Sequence, residues 1–450
     1  YSAQFQVIGY QQWPGELAQK SSIDIFAPTD VLMFLHSDDA LPCLAKSFLS
    51  SSSEMRSGEA ESLLAVMRQS VLAFRSRSEA QIFISTLPLL VNGPERYLAA
   101  STNRGRLQEL ADFNVRISTE FSKLSGVYIY PYDELVQDAG RSGFFDQVKN
   151  NLNQTAISSN GYPILAKDLS RFLRNTWDPR IKAIVLDLDN TVWGGVIGED
   201  GIDGIELGTE GRGKAFRDLQ LFLKELHSTG VLLAVCSKNN LSDAKEVFEK
   251  HPSSILKWSD FSAARINWID KATNISEIAT ELNIGLSSMV FVDDNRMECE
   301  HVKSVLPEIN VMNFDGMPEL LPQRLLDFVP LEPIKLSTDD LQRNSAYAAE
   351  RVRREAQVQF ANYDEFLKSL ELKLKIFKAS TRDLPRLAQL AGKTNQFNTT
   401  TIRWSEQQLA NMLEDSSYEV LSFSLSDRLG DYGTIGMVVL REQESALHID

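Results

Sequence analysis

Two apolar runs in this chain break into paired acids. Ile184-Val185-Leu186-Asp187-Leu188-Asp189-Asn190-Thr191 places carboxylates at i and i+2, and Met289-Val290-Phe291-Val292-Asp293-Asp294-Asn295 places them side by side. Side chains alternate along a strand, but at its frayed carboxyl end both acids of a pair can turn toward one mouth. Carboxylates gathered there repel unless a cation sits between them or one is protonated. A hard cation such as Mg²⁺ suits oxygen-only ligands, so Asp187, Asp189, Asp293 and Asp294 form the expected metal set. One such segment alone also reads as a strand followed by an acidic turn; two in one chain argue for a site.

Between them lies a third strand end, Val235-Cys236-Ser237-Lys238-Asn239, followed by Lys271 in Trp268-Ile269-Asp270-Lys271. Together these residues supply a nucleophile, donors for phosphate oxygens (Ser237, Lys238, Asn239), a cationic clamp and a metal site. Arg212, Lys214 and Arg265 are candidates for a second phosphate or a carboxylate, because Arg pairs with such oxygens in a bidentate way. Each of them, and Lys271 taken alone, also reads as surface charge. Cys236 is expected to face the metal mouth, where Lys238 and the cation would lower its thiol pKa. The same residue also reads as a small buried side chain ending a core strand. Cys43 and Cys299 read as structural.

The elements that must hold these groups alternate. Residues 176–335 read as strand 183–188, helix 213–228, strand 231–236, helix 242–250, strand 255–258, helix 274–282, strand 289–292, a helix near 297–306 and strand 310–313. That alternation predicts a doubly wound parallel α/β sheet, whose ligands bind beyond the carboxyl ends of the strands. Gly194, Gly195, Gly198 and Gly201 lack the GxGxxG spacing of a dinucleotide site and suit a flexible flap. Residues 1–175 carry apolar runs at 31–35, 81–85 and 127–130, separated by helical patterns at 59–74 and 104–124 and a serine run at 50–53. Residues 336–450 open with a charged helix over 345–360. Its Arg351, Arg353 and Arg354 are a candidate basic patch for an acidic partner. Strand 372–377, helix 384–391, a helix opened by a Ser405/Gln408 capping box, and strands 419–425 and 434–440 follow.

Length and composition agree with three ordinary globular blocks. The chain has 450 residues, 43% hydrophobic and 24% charged. A net charge of −15 argues against a nucleic-acid binder. Three scattered cysteines exclude a disulfide scaffold and point to a reducing, cytoplasmic setting. No apolar run is long enough for a membrane span. Neither end has the look of a natural terminus, which suggests a piece of a longer chain.

The order of the four site segments resembles the haloacid dehalogenase superfamily, in its phosphotransferase branch. The resemblance makes Asp187 the nucleophile that is phosphorylated in turnover and Asp189 the acid/base. Ser237 becomes the phosphate-binding hydroxyl, Lys271 the family's lysine, and Asp293 and Asp294 the metal pair. Thr191-Val192-Trp193-Gly194-Gly195-Val196-Ile197-Gly198-Glu199-Asp200-Gly201 and Asn267-Trp268-Ile269-Asp270-Lys271-Ala272 are similar to the FkbH-like subfamily. So are Leu232 to Asn240, Thr394-Asn395-Gln396-Phe397-Asn398 and Asp427 to Gly433. The likeness is dense from residue 176 onward and loose before it. It implies transfer of a glyceryl unit from 1,3-bisphosphoglycerate to an acyl carrier protein in polyketide assembly, with Mg²⁺ as cofactor, Cys236 as acyl relay and both phosphates lost. Glyceryl and lactyl remain open as the unit carried. A small-molecule Mg²⁺ phosphatase and an inactive docking module are the competing readings. The first block loosely resembles an SGNH-hydrolase-like fold without its nucleophile motif. The third resembles a partial N-acetyltransferase fold without its pyrophosphate loop.

Overall fold

Short β-branched and aromatic runs set the strands in both halves of the chain, and amphipathic helices cover them. The computed structural model describes residues 4, 6–8, 12–90, 93–102, 105–153, 156–336, 338–357, 363–393, 402–428, 430–443 and 446–449. The chain divides after Trp177 into two compact units.

In the first unit, β1 (Asp30–Met33), β2 (Gln81–Ser85) and β3 (Val127–Tyr130) form a parallel sheet in that order. Helices α1 (Ser53–Arg75) and α2 (Arg106–Phe121) make the crossovers. The serine run ends in a helix cap: the Ser52 hydroxyl accepts from the Met55 amide at 3.2 Å. Met67, Val71 and Phe74 of α1 and Phe113, Ile117 and Phe121 of α2 close over Ile82 and Ile84.

The second unit is built on a five-stranded parallel sheet. Its elements are β4 (Ala183–Leu186), α3 (Gly211–Ser228), β5 (Leu232–Ser237), α4 (Leu241–Lys250), β6 (Phe261–Ile266), α5 (Lys271–Leu282), β7 (Met289–Asp293), α6 (Arg296–Val305) and β8 (Asn310–Asn313). The strand order is β6-β5-β4-β7-β8. All residues of β4, β5 and β7 are buried, as strands covered on both faces require. The order reverses direction at β4, so the crevice between the ends of β4 and β7 is the switch point where α/β sheets place ligands.

One expected strand is absent. Residues 255–258 do not pair; the amides of Ile255 and Leu256 instead donate to Gln220 Oε1 at 2.9 and 3.1 Å. The edge strand comes later, as β6. Its apolar content is spread over Phe261, Ala263 and Ala264 and signals weakly in sequence.

After α7 (Leu321–Phe328), the long helix α8 (Thr338–Gln357) begins earlier than its sequence pattern suggested. It is fixed to the same unit. Tyr347 Oη donates to the Leu282 carbonyl at 2.8 Å, and Arg343 Nη1 to the Gly230 carbonyl at 3.0 Å. Gly230 has φ +88°, and a Cβ there would lie 2.2 Å from the Asp340 carbonyl oxygen. Glycine is thus required for α8 to approach. Arg351 donates to the carbonyls of Trp258 and Phe261. Arg353 is buried; its Nε and Nη2 donate to Asp427 at 2.6 and 3.1 Å, and it stacks 4.2 Å from the Tyr432 ring. These two arginines therefore pin a helix and do not form an exposed basic patch; the Arg354 side chain lies outside the described residues.

The last layer is an antiparallel sheet of β9 (Lys373–Lys378), β10 (Tyr418–Asp427), β11 (Gly430–Gln443) and β12 (Ala446–Ile449), in the order β12-β11-β10-β9. Helices α9 (Leu384–Lys393) and α10 (Glu406–Glu414) pack on it through Leu387, Leu409 and Val439. The Ser405/Gln408 capping box forms as expected. The Thr394–Asn398 motif and Leu429 lie outside the described residues. No helix among the described residues is long and apolar enough to cross a membrane.

Candidate active site

The parallel sheet brings three of the four expected acids together. Carboxylate oxygens of Asp187, Asp293 and Asp294 lie within 4.8 Å of one another. Asp187 follows the end of β4 and Asp293 ends β7; these strands are neighbours, with Leu186 opposite Val292. Asp187 and Asp293 are buried, and Asp294 is half-buried at the rim.

Lys271, the first residue of α5, reaches between the acids. Its Nζ lies 2.6 Å from Asp293 Oδ2 and 3.1 Å from Asp187 Oδ1. Burial works against its charge, but the two carboxylates prevail and hold the ammonium above its ordinary pKa. Asp293 is pushed above the usual carboxylate range by burial and then by Asp187, with Lys271 pulling the other way. Asp294 is raised by the same two causes, burial first. Asn313 Nδ2 donates to the carbonyls of both Asp293 and Asp294 at 3.2 and 3.0 Å, fixing the turn that carries them.

Asp189 stands apart from the cluster of three. Its Oδ1 accepts from Trp193 Nε1 at 2.9 Å and from the Ile197 amide at 3.1 Å; its Oδ2 accepts from Asn239 Nδ2 at 2.8 Å. Burial raises its pKa above the usual value although these donors oppose it. The carboxylate is thus held by three donors beside the cluster of three. The glycine segment after it is folded into a fixed turn. Gly194 and Glu206 exchange backbone hydrogen bonds at 3.1 and 2.8 Å, and Trp193 is fully buried. Gly194 has no room for a side chain, since a Cβ would meet Phe216 at 2.8 Å. The expected flexible flap is a pinned one.

Ser237 is buried at the end of β5 beside Cys236. Among the described residues its hydroxyl makes no protein hydrogen bond. Lys238 pairs with Glu298 at 2.5 Å. Of the further cations, Arg212, in the first turn of α3, lies 3.4 Å from Glu206 and 3.3 Å from the Gly316 carbonyl. Lys214 pairs with Asp218 along its own helix. Arg265 is held by Glu277 and Glu281 of α5, both at 2.7 Å. Lys214 and Arg265 are thus paired with neighbouring acids.

Cys236 also departs from expectation. It follows Leu232 and Ala234 onto the face packed by α5 and is fully buried. Its Sγ donates to the Lys271 carbonyl at 3.8 Å. Burial pushes the thiol up to about 12, with Lys271 only partly opposing. Lys238 does not activate it, because Glu298 occupies that ammonium. Cys299 is likewise buried, with its Sγ 3.5 Å from the Asp293 carbonyl; Cys43 is half-buried.

Sequence reasoning missed Trp193 and Asn313 as supports. Trp193 lies only four residues beyond Asp189, in the same turn, whereas Asn313 ends β8, one strand away from the acids it supports. Asp270 was more legible: it caps α5, accepting from the Thr273 amide at 2.9 Å, and so aims Lys271 inward.

The donor set fits a hard divalent cation. It is oxygen-only, it gathers three carboxylates, and the buried Asp187 Oδ1 receives no hydrogen bond, only the ammonium of Lys271 at 3.1 Å. Neither a protein-family model nor a curated protein matches the chain. Among solved structures, one that matches is the N-terminal part of the protein BF1531 from Bacteroides fragilis, containing a phosphatase domain complexed with Mg. It is 27% identical, covers 73% of this chain and 86% of its own, and superposes with a TM-score of 0.63. By that likeness, and by acids set at the switch point of a parallel sheet, the chain is similar to a haloacid dehalogenase-type phosphatase.

Proposed function

We propose that this chain is a Mg²⁺-dependent phosphatase in which Asp187 attacks phosphorus. The observation that carries it is the convergence of Asp187, Asp293 and Asp294 around Lys271 at the ends of two adjacent strands. Mg²⁺ held by those three acids would offset their repulsion and the negative charge of a phosphoryl group. Lys271 Nζ, 3.1 Å from Asp187 Oδ1, holds that carboxylate in place. An Asp187 oxygen forms the bond to phosphorus as the bond to the leaving oxygen breaks; Asp189, its pKa raised by burial, gives that oxygen a proton. Water then attacks the aspartyl phosphate while Asp189 takes its proton. The Ser237 hydroxyl and the Asn239 amide lie at the β5 end to receive phosphoryl oxygens. Phosphate release should require added Mg²⁺, stop with EDTA and disappear in Asp187→Asn.

The finer reading is that the substrate phosphate belongs to a glyceryl unit passing from 1,3-bisphosphoglycerate to an acyl carrier protein for polyketide synthesis. The FkbH-like motifs at 191–201, 232–240 and 267–272 support it. The C1 acyl carbon is taken by a thiol with loss of one phosphate, and the C3 ester is hydrolysed through Asp187. The acyl step has two routes. One passes through Cys236, as the family likeness implies. The other is direct attack by the carrier thiol, which the complete burial of Cys236 favours. Intact-protein mass spectrometry of a phosphopantetheinylated carrier, with wild type and Cys236→Ser, separates them. Absence of any three-carbon adduct leaves the phosphatase alone. The first unit then serves as an SGNH-like scaffold and the antiparallel layer as a partial acetyltransferase-like fold, neither with catalysis of its own.

A further inference from the structure

Two residues of the segment that delivers Lys271 have no part in the phosphatase reading. Trp268 and Ile269 lie between β6 and α5 and are 72% and 52% exposed. The backbone that carries them is held from several sides. The Asn267 amide donates to the Ser237 carbonyl at 3.2 Å, which ties the segment to the end of β5. The side chains of Asn267 and Asn274 exchange hydrogen bonds at 3.2 and 2.9 Å. Asn267 Oδ1 also accepts from the Ile269 amide at 2.9 Å, and Nδ2 of the buried Asn274 donates to the Ile269 carbonyl at 3.3 Å. This brace holds a tryptophan and an isoleucine out in water, at a hydrophobic cost that contact with a bound molecule offsets.

Met297 joins them. It is the second residue of α6, three beyond Asp294, and is 83% exposed. Asn295 Oδ1 caps that helix, accepting from the Met297 amide at 2.9 Å. His301, one turn further along the same face of α6, has its Nε2 2.7 Å from Asp270 Oδ1. That contact joins α6 to the start of α5, so Trp268, Ile269 and Met297 border one side of the mouth. Glu298, beside Met297, reaches Lys238 at the end of β5. The acids, Lys271 and Ser237 are buried or half-buried within the mouth; the three apolar side chains stand exposed at its edge.

We infer that Trp268, Ile269 and Met297 receive the non-phosphorylated part of the substrate, and that this part is an extended, largely apolar chain. The inference rests on the phosphatase reading, which places the phosphoryl group at Asp187 and sends the rest of the ester outward past this edge. A compact polar alcohol gains nothing from such an edge. A longer apolar chain covers the indole, the Ile269 side chain and the adaptable Met297 thioether.

The test compares hexyl phosphate with methyl phosphate. For the full wild-type chain with Mg²⁺, kcat/KM for phosphate release should be at least about tenfold higher for the hexyl ester, the gain from partly covering its additional methylenes. Trp268→Ala should cut that ratio at least about fivefold, as truncation of an anchoring aromatic does. Met297→Ser should cut it less, and Trp268→Phe, which keeps an apolar ring, should retain most of it. A ratio taken within one protein is insensitive to the fraction folded. Equal kcat/KM for the two esters in wild type, or an unchanged ratio in Trp268→Ala, overturns the inference and leaves the phosphatase reading standing. Absence of phosphate release from both esters defeats the phosphatase reading, and calorimetric binding to Asp187→Asn with Mg²⁺ then decides the inference without turnover. Tighter binding of the hexyl ester that is lost when Trp268→Ala is added supports it; equal binding of the two esters, or none, overturns it.

Discussion

Lys271→Met isolates what the buried ammonium does. The side chain is nearly isosteric, so packing is kept while Asp187 and Asp293 lose the cation 3.1 and 2.6 Å away. Breaking a buried ion pair from one side costs about 3–5 kcal/mol. At about 2–3 °C per kcal/mol for a unit of this size, melting of the second unit should fall by roughly 6–15 °C. The sign with pH follows from the acids left behind. Without Lys271 the folded pKa of Asp293, already raised by burial, lies still further above its unfolded value, so the folded state binds more protons. Stability of the variant therefore falls as pH rises, and the deficit against wild type should shrink between pH 7.5 and 5. A divalent cation replaces the missing charge, so millimolar Mg²⁺ should raise the melting temperature of the variant more than that of wild type. Differential scanning calorimetry of both proteins at three pH values, with Mg²⁺ and with EDTA, reads all three effects. Equal Mg²⁺ shifts in the two proteins would refute the view that Lys271 and the metal share one cluster of acids.

Four further outcomes are expected. Asp187→Asn should release no phosphate at a detectable rate while keeping the wild-type melting temperature within a few degrees; ordinary turnover would remove Asp187 as nucleophile. With its pKa near 12, Cys236 is about 10⁻⁴ ionised at pH 8, against about a quarter for a free thiol near 8.5; iodoacetamide should therefore label it at least a thousandfold more slowly than after unfolding in urea, by peptide mass spectrometry. Trp193→Phe deletes the indole donor to Asp189 Oδ1; it should lower kcat roughly tenfold and shift the acid limb of the pH–rate profile upward, as the carboxylate loses a donor that favours its charge. Arg353→Glu replaces the buried Arg353–Asp427 ion pair by two facing carboxylates, so it should destabilise the second unit by roughly 3–5 kcal/mol in urea titration; a fully stable variant would return this arginine to the surface.

The site was legible where chemistry ended an apolar run. Asp187, Asp293 and Lys271 could be named because strands that are buried on both faces show up as hydrophobic runs, and an acid at the end of one has few purely structural reasons to be there. The side on which Cys236 falls was also available: Leu232, Ala234 and Cys236 are two apart, and a strand of period two sends them to one face. Arg351 and Arg353 were not legible, because a charged helix looks the same whether its arginines meet water or the carbonyls of a strand 90 residues earlier. Likewise β6 was displaced, since the decisive competitor for residues 255–256 was a single buried glutamine on α3. Contacts of long sequence separation decide such cases, and they leave no local period behind.

The clasp between α8 and the parallel sheet also governs where this protein can be cut. β6 is the outermost strand on its side, and an uncovered strand edge is a template for pairing with another chain. Arg351 occupies carbonyls at the start of that strand, and Gly230 lets the helix lie against the loop before β5. Truncation near residue 335, at the boundary that sequence patterning suggests, would keep every acid of the site and yet strip the cover from that edge. The resulting fragment would be catalytically complete and colloidally unsound, prone to assemble edge to edge at the concentrations used to study it. A fragment meant for solution work should keep α8 and, because Arg353 ties that helix to Asp427, the antiparallel layer as well.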